Sequence, residues 1–440
     1  MWKAKKLLLL FGDVAFLYVS LALALAVRYG DGGFIARFRV HFVPFSLLFL
    51  LWMFIFYLAD LYRPATFATR KKLFRTLFQA LMVAGIISVV VLYLFSGLFR
   101  LTPKTNLAMV GVFFFLIDGI FRLLFLHAFS IGSIAVSFLG ASPLKQKIES
   151  YLRTNPHIGY SIAEWIDSPR PEDFKKFAHQ GTQNETGLIV VVPDLIKNPG
   201  TAREMYKLLS EGMKIESLID FYEEIFEQSP LEILEAEWFV EHIATRRPLY
   251  ETVKRAADLV LGLALALVFL PFGLAVALLV PLSSRGPVFY TEKRAGKKGK
   301  PFTLYKFRSM VDGARNMGPA WTEKDDARVT PFGKFIRYTH LDEIPQLLNI
   351  LRGDISFTGP RPEAMTLVEK YRSLPFYEMR HAVAPGLTGW AQINYGPSAS
   401  IEEALEKLRY DIYYVKNRSF FLDLLVIART IKHFFSYTNK

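Results

Sequence analysis

The 440 residues include no cysteine. That excludes disulfides, thiolate zinc sites and thiol catalysis, while leaving the compartment open. Acidic residues are also in deficit: 40 Asp and Glu face 53 Lys and Arg, a formal net charge of +13. Such a balance suits anionic partners, whether lipid headgroups, phosphates or nucleotides. Missing too is the G-x-G-x-x-G turn that lets backbone approach a dinucleotide pyrophosphate. IAVSFLGAS (134–142) carries Gly140 alone, so no nicotinamide cofactor is expected. A secretory signal is likewise not expected, because the first apolar run is too long and no small-residue cleavage site follows; it reads as a retained anchor.

What the chain has in plenty is apolar surface, with 52% hydrophobic residues and 39 Phe. Four runs, 7–27, 42–61, 76–98 and 107–126, match the roughly 20 residues that cross a bilayer core. Lys3, Lys5, Lys6, Arg63, Arg70, Lys71, Lys72 and Arg75 make eight cations on one side, against five (Arg28, Arg37, Arg39, Arg100, Lys104) on the other. The tally favours a cytoplasmic N-terminus and, after four crossings, a cytoplasmic remainder. Asp13, Asp118 and Arg122 fall inside the runs, which raises transport as a hypothesis. Asp118 and Arg122, however, have the i,i+4 spacing of an ion pair on one helix face, and no repeated broken helices suggest a carrier.

From about residue 129, IAVSFLGAS and GLIVVVPD (187–194) read as buried strands between helical stretches. This predicts a small parallel α/β layer, a degenerate Rossmann-like domain over 129–245 that serves as scaffold or interaction surface. A second apolar region, 259–282, is interrupted at Pro271. At 1.5 Å per residue its halves reach about 18 and 14 Å, short of a ~30 Å core. A re-entrant hairpin at about 256–282, bent at Pro271, keeps the following residues cytoplasmic. Cysteines placed at Ser133 and Ser283 would then be labelled from one side.

Between Arg285 and Arg308 stand eight Lys or Arg, including Lys293 and Arg294, against Glu292 alone. The strip suits anionic lipid; no nucleic-acid motif accompanies it, so nucleic acid is not an expected partner. Gly296 and Gly299 fit a hairpin turn, and the alternation of TLYKFRSM puts Lys306 and Arg308 on one strand face as a phosphate clamp. In THLDEIPQLLNI (339–350) the proline at 345 is tolerated only in a first helical turn. A helix is therefore expected to begin near Asp342, with Asp342 and Glu343 at its positive end; Thr339 and Asp342 also fit a capping box. Arg328, Arg337, Arg352 and Arg361 surround the pair in sequence. A carboxylate ringed by cations keeps a depressed pKa and can act as nucleophile or as Mg²⁺ ligand in attack on a diphosphate.

Five blocks in one order, KRAADLVLG, GPVFYTEKRAGKKGKPFTLYKFRSM, THLDEIPQLLNILRGDISFTGPRPE, PGLTGWAQINYG and LRYDIYYVKNRSFFLDLL, resemble the bacterial sugar transferases. These polyprenyl-phosphate glycosylphosphotransferases begin exopolysaccharide, capsule and O-antigen assembly. The four spans and the α/β layer look like those of the large members. The resemblance implies three parts: a four-helix transmembrane domain (1–128), the Rossmann-like domain (129–245), and a mixed α/β catalytic domain with the re-entrant membrane helix (246–440). It implies a bacterial inner-membrane protein, catalytic on the cytoplasmic face, that moves a sugar-1-phosphate from a UDP-sugar to undecaprenyl phosphate and releases UMP.

By the same resemblance Asp342 is the nucleophile that carries a covalent phosphosugar, Glu343 completes the dyad, and either or both hold Mg²⁺. Lys293, Arg294, Lys306, Arg308, Arg337 and Arg361 would hold phosphates, and Thr388 and Gln392 would shape the nucleotide or sugar pocket. One departure stands out: members usually carry a cation before the Pro-Gly of PGLTG, where this chain has Ala384. Arg380 or His381 could substitute. Residues 414–435 read equally as a second interfacial anchor or a core helix, and a homodimer stays open. The rivals are a membrane-bound nucleotide-sugar dehydratase or epimerase, which needs the missing glycines, a direct glycosyltransferase, which releases UDP, and a lipid-binding scaffold, in which Asp342 is dispensable.

Overall fold

A bilayer offers backbone groups no partner, so an apolar run satisfies its N–H and C=O groups by becoming a helix. In the computed structural model all four expected runs do so: α1 (Trp2–Tyr29), α2 (Phe34–Leu58), α3 (Arg70–Leu94) and α4 (Lys104–Ser130). The structure describes residues 2–30, 34–59, 61–62, 70–94, 104–130, 134–182, 187–243, 247–314, 317, 326–396 and 400–437. Arg63, Arg100 and Ser133, and the expected boundary residues 245–246, lie outside these. The chain forms two compact units, Met1–Phe221 and Tyr222–Lys440.

In the first unit α1 packs on α2 and α4, and α3 packs on the same two. Phe45, Trp52, Phe56 and Phe114 fill the interior. The intramembrane charges meet there. Arg122 donates to Asp118 at 2.6 Å and to Asp13 at 2.8 Å, with all three side chains fully buried, and Tyr62 donates its hydroxyl proton to Asp13 at 2.6 Å. The i,i+4 pair is half of a cross-helix triad, the arrangement that lets buried charge persist by pairing.

The α/β layer has four strands, β1 (Ile134–Leu139), β2 (Tyr160–Ile166), β3 (Leu188–Val191) and β4 (Lys214–Ser217), all parallel in the order β2-β1-β3-β4. Helices α5 (Pro171–Thr182) and α6 (Pro199–Ser210) bury Phe174, Phe177, Met205 and Leu208 with Leu139, Ile189 and Val191. This winding places the switch between β1 and β3, as in flavodoxin-type doubly wound sheets. A Cβ on Gly140 would stand 2.7 Å from the Val192 Cβ, and the Trp165 indole donates to the Gly140 carbonyl. Val192 and Trp165 therefore pack directly against the Gly140 turn.

The second unit begins upstream of residue 246, because residues 222–243 dock on it: Lys416 reaches Glu223 at 2.8 Å, Arg409 pairs with Glu232, and the Trp390 indole donates to Glu227 O. Its longest element is α7 (Pro248–Ser283), 36 residues with Pro271 and Pro281 inside. The expected break at Pro271 does not divide it. Gly262, Leu265, Ala266, Phe269, Gly273, Val276, Ala277 and Val280 form one buried or half-buried stripe that keeps helical spacing past the proline, so tertiary packing holds the turn that proline weakens. Leu263, Leu267, Leu270, Leu274, Leu278 and Leu282 are exposed on the other face.

Candidate active site

The site is built on three elements packed against α7. Strands β5 (Phe289–Ala295) and β6 (Pro301–Phe307) form an antiparallel hairpin, whose turn takes the left-handed conformation at Lys298 and Gly299, as the two glycines foretold. Helix α8 (Pro331–Tyr338), capped by the Thr330 hydroxyl on Gly333 N, buries Ile336 with Phe307, Val276 and Val280. Helix α9 (Gln346–Arg352) buries Leu347 and Ile350 beside Leu265 and Ala266. Asn349, fully buried, ties α9 to β6: its amide donates to Thr303 O at 2.7 Å and its oxygen accepts from Tyr305 N at 3.2 Å. That pairing brings Lys306 to the carboxylates.

Asp342 and Glu343 occupy a separate 3-10 turn, Leu341–Glu343, with α9 starting only at Gln346. The helix expected to begin at Asp342 is set back because His340 enters at φ 56°, a left-handed residue that turns the chain between α8 and the dyad. Thr339 makes no capping box; its hydroxyl donates back to Phe335 O in α8. Lys306 Nζ lies 2.7 Å from Glu343 Oε1 and 3.9 Å from Asp342 Oδ2. The two carboxylates thus share one ammonium, yet their pKa values move in opposite directions. Burial would raise Glu343, but Lys306 and then Arg361 overcome it and hold the group at about 2. For Asp342 burial prevails over Lys306 and Arg337, and its pKa rises above the ordinary value. The depressed pKa expected from ringing cations therefore belongs to Glu343; at Asp342 desolvation outweighs charge.

The other expected site residues are spread around this centre. Arg337 donates to Ser309 Oγ at 2.7 Å, and its charge lies near enough to oppose the rise at Asp342. The Arg361 side chain makes no hydrogen bond or ion pair among the described residues, while its charge biases Glu343 and Glu363. Arg308 follows the end of β6 rather than sharing the strand face of Lys306; its NH2 donates to Ser284 O at 2.5 Å, and its buried Nε and NH1 have no partner among the described residues. Lys293 bonds Thr303 at the surface, and Arg294 bonds Glu292 and Pro362 O, away from the dyad. Arg352 stacks on Tyr305 and donates to its hydroxyl; Arg328 pairs with Asp326. Thr388 shares a 2.6 Å hydroxyl contact with Thr430, and the buried Gln392 side-chain oxygen has no partner among the described residues.

Arg380 and His381 do not stand in for a cation at 384. Arg380, 3% exposed, is spent on Asp411 at 2.7 Å, and burial lowers His381 to about 4, which keeps it neutral. Ala384 instead lines a cleft of about 250 Å³ with Lys254, Lys297 and Tyr414. A residue that sequence reasoning missed is Asp423, which accepts from Tyr250, Lys254, Thr358 and Tyr414 at 2.6–2.8 Å. It joins α7, β7 (Ser356–Thr358), α10 (Ile401–Asn417) and α11 (Phe420–Tyr437). An acid within the apolar run FFLDLL was its only signal.

Two neighbouring carboxylates, one held ionised and one desolvated, with Lys306, Arg337 and Arg361 around them, are equipped to attack and to screen an anionic phosphorus centre. Comparison with known proteins points to the same chemistry. The family described as Bacterial sugar transferase matches residues 249–437. The chain is 42% identical over 186 residues to the UDP-N-acetylgalactosamine-undecaprenyl-phosphate N-acetylgalactosaminephosphotransferase of Aeromonas hydrophila, covering 42% of this chain and 44% of that one. It is 39% identical over 204 residues to the UDP-glucose:undecaprenyl-phosphate glucose-1-phosphate transferase of Escherichia coli K12, 44% of each chain. The match thus spans less than half the length of these two relatives. In the exopolysaccharide production protein PSS of Rhizobium leguminosarum bv. phaseoli, 42% identical over 186 residues, it covers 93% of the relative and 41% of this chain. With that near-complete coverage of a relative, the chain belongs to the bacterial sugar transferase family.

Proposed function

We propose that the protein transfers a sugar-1-phosphate from a UDP-sugar to undecaprenyl phosphate, the first membrane step of an exopolysaccharide, capsule or O-antigen. The observation that carries this reading is the split dyad: Asp342 desolvated beside a Glu343 held ionised by Lys306 at 2.7 Å. The relatives named for this transfer, on UDP-glucose and UDP-N-acetylgalactosamine, support it.

An Asp342 oxygen attacks the β-phosphorus of the UDP-sugar; the bond from that phosphorus to the bridging oxygen breaks, and UMP leaves. A phosphosugar remains on the aspartate. An oxygen of undecaprenyl phosphate then attacks the same phosphorus, releasing undecaprenyl-diphosphate-sugar and restoring the carboxylate. Poor solvation leaves Asp342 the more reactive anion, while Lys306, Arg337 and Arg361 offset phosphate charge in both steps. Mg²⁺ fits the donor set, since it is commonly held by one or two carboxylates with phosphate oxygens completing its shell. Glu343, ionised across the working pH range, and Asp342 would hold it, and it would neutralise charge on the diphosphate.

The packed stripe of α7 supports a monotopic placement. Residues on both sides of Pro271 lie against the same catalytic body: Gly262 against Ile350 and Val280 beside Ile336. A helix of 36 residues would reach about 54 Å if straight, so a bilayer crossing would pull these contacts to opposite sides. On this reading the exposed leucines enter one leaflet of the inner membrane and the dyad sits at its cytoplasmic surface. Detergent-solubilised protein incubated with undecaprenyl phosphate and a panel of UDP-sugars tests the reaction. UMP release that stops with EDTA and returns with Mg²⁺ is expected; release of UDP would refute it.

A further inference from the structure

The Arg361 side chain has no hydrogen bond or ion pair among the described residues, and its backbone is tied to the β5–β6 hairpin that brings Lys306 within 2.7 Å of Glu343. That backbone is held at four consecutive carbonyls, each by a different donor. Pro360 O accepts from Gly386 N at 2.9 Å, Arg361 O from Arg380 NH2 at 2.9 Å, Pro362 O from Arg294 NH1 at 2.8 Å, and Glu363 O from Ala295 N at 3.0 Å. Gly359 begins the loop so close to its neighbours that a Cβ there would stand 2.5 Å from Ala384 O.

The donor to Arg361 is itself immobilised. Arg380 NH2 also reaches Asp411 at 2.7 Å, NH1 donates to the Tyr377 hydroxyl at 3.0 Å and lies 3.9 Å from Glu363, and Lys407 neutralises Glu363 at 3.0 Å. All four charged residues are at most 9% exposed, and their charges sum to zero. A balanced, buried quartet is an expensive way to orient one carbonyl unless the residue bearing it must be placed well.

We infer that Arg380 is a positioning residue for the dyad, acting through the backbone of Arg361 and not as a phosphate-binding cation. This rests on the phosphoryl-transfer reading above. Arg380→Lys preserves the charge opposite Asp411 but replaces the guanidinium fork by a single nitrogen, so the separate NH1 contact with Tyr377 and NH2 contact with the Arg361 carbonyl are not both reproduced. A double-mutant cycle with Arg361→Ala isolates the coupling.

The readouts are kcat/KM for UMP release, UMP affinity by calorimetry, and the melting midpoint. Arg380→Lys is expected to lower kcat/KM about tenfold in the wild-type background, within the ~10²-fold that a displacement of about 1 Å can cost. In the Arg361→Ala background the further loss is expected to be under about twofold. A merely structural fault would cost the same factor in both backgrounds, and equal losses overturn the proposal. Should Arg380→Lys not fold, Tyr377→Phe keeps every charge and enters the same cycle, with about a threefold loss expected in wild type alone; no loss, or an equal one in both backgrounds, refutes the positioning role. If wild type turns over no UDP-sugar, the reaction falls and the UMP-affinity cycle still decides on Arg380. If it turns over and the losses add, only Arg380 falls.

Discussion

Replacing Lys306 with methionine is the most direct test of the electrostatics. The ammonium 2.7 Å from Glu343 is the leading influence that brings this carboxyl from 4.5 to about 2 against the cost of burial. The Glu343 side chain is 24% exposed, so little of this is screened by solvent. At 1.36 kcal/mol per pH unit the difference amounts to about 3 kcal/mol in favour of the ionised folded form. Because the folded pKa lies below the unfolded one, the contribution is fully present above about pH 4.5 and is lost as the pH falls toward 2. Wild type should therefore show no slope from this group between about pH 5 and 8. Lys306→Met, with burial left unopposed by its main partner, should melt about 6–12 °C lower at pH 7, taking 2–4 °C per kcal/mol for a unit of this size. Its stability should then rise as the pH is lowered through that window, where wild type shows no slope from this group. Thermal melts in detergent across that range, read beside UMP release, check both signs. A variant that melts within about 1 °C of wild type at pH 7, with no pH slope, would show that Lys306 does not sustain the ionised Glu343.

Asp342→Asn should abolish turnover and the trapping of radiolabelled sugar phosphate on protein. Because burial raises the Asp342 pKa, its ionised form costs stability as pH rises through that pKa, so the amide should also melt about 1–4 °C higher at neutral pH; a lower midpoint would contradict the desolvated aspartate. Since the chain has no cysteine, single cysteines at Ser283 and Ser168 report topology cleanly, and labelling from one side is expected for a re-entrant α7, opposite labelling for a crossing one. Gly389→Ala would set a Cβ 2.1 Å from Gly359 O, displacing the strand that holds the Arg361 loop. Turnover should fall at least tenfold while membrane insertion persists, and an active, unshifted variant would show that the loop tolerates movement.

Local properties of the chain carried the large-scale reading. Run lengths foretell the four long apolar helices, the glycines at 296 and 299 foretell the β5–β6 turn, and the adjacency of Asp342 and Glu343 foretells that one cation, Lys306, can lie near both. Each is a property of a short window, and a window is what a sequence displays. Asp13, distant in sequence from Asp118 and Arg122, could not be joined to them by spacing, nor could Asn349 be seen to dock α9 on the strand bearing Lys306. Similarly, alternation of strands and helices predicts a parallel sheet, but the order β2-β1-β3-β4 depends on crossovers that no local pattern encodes.

The sequence by itself determined that this chain belongs in a membrane, that one pair of acids is set among cations, and which family's motifs it bears. Only the tertiary structure decided that the two acids shift in opposite directions, because the answer turns on how much water each carboxylate loses and how far each lies from Lys306. It also decided that Arg380 is consumed inside a buried quartet and that α7 packs along its whole length through Pro271. Desolvation and distance are properties of the folded arrangement, and they determine what these charges can do.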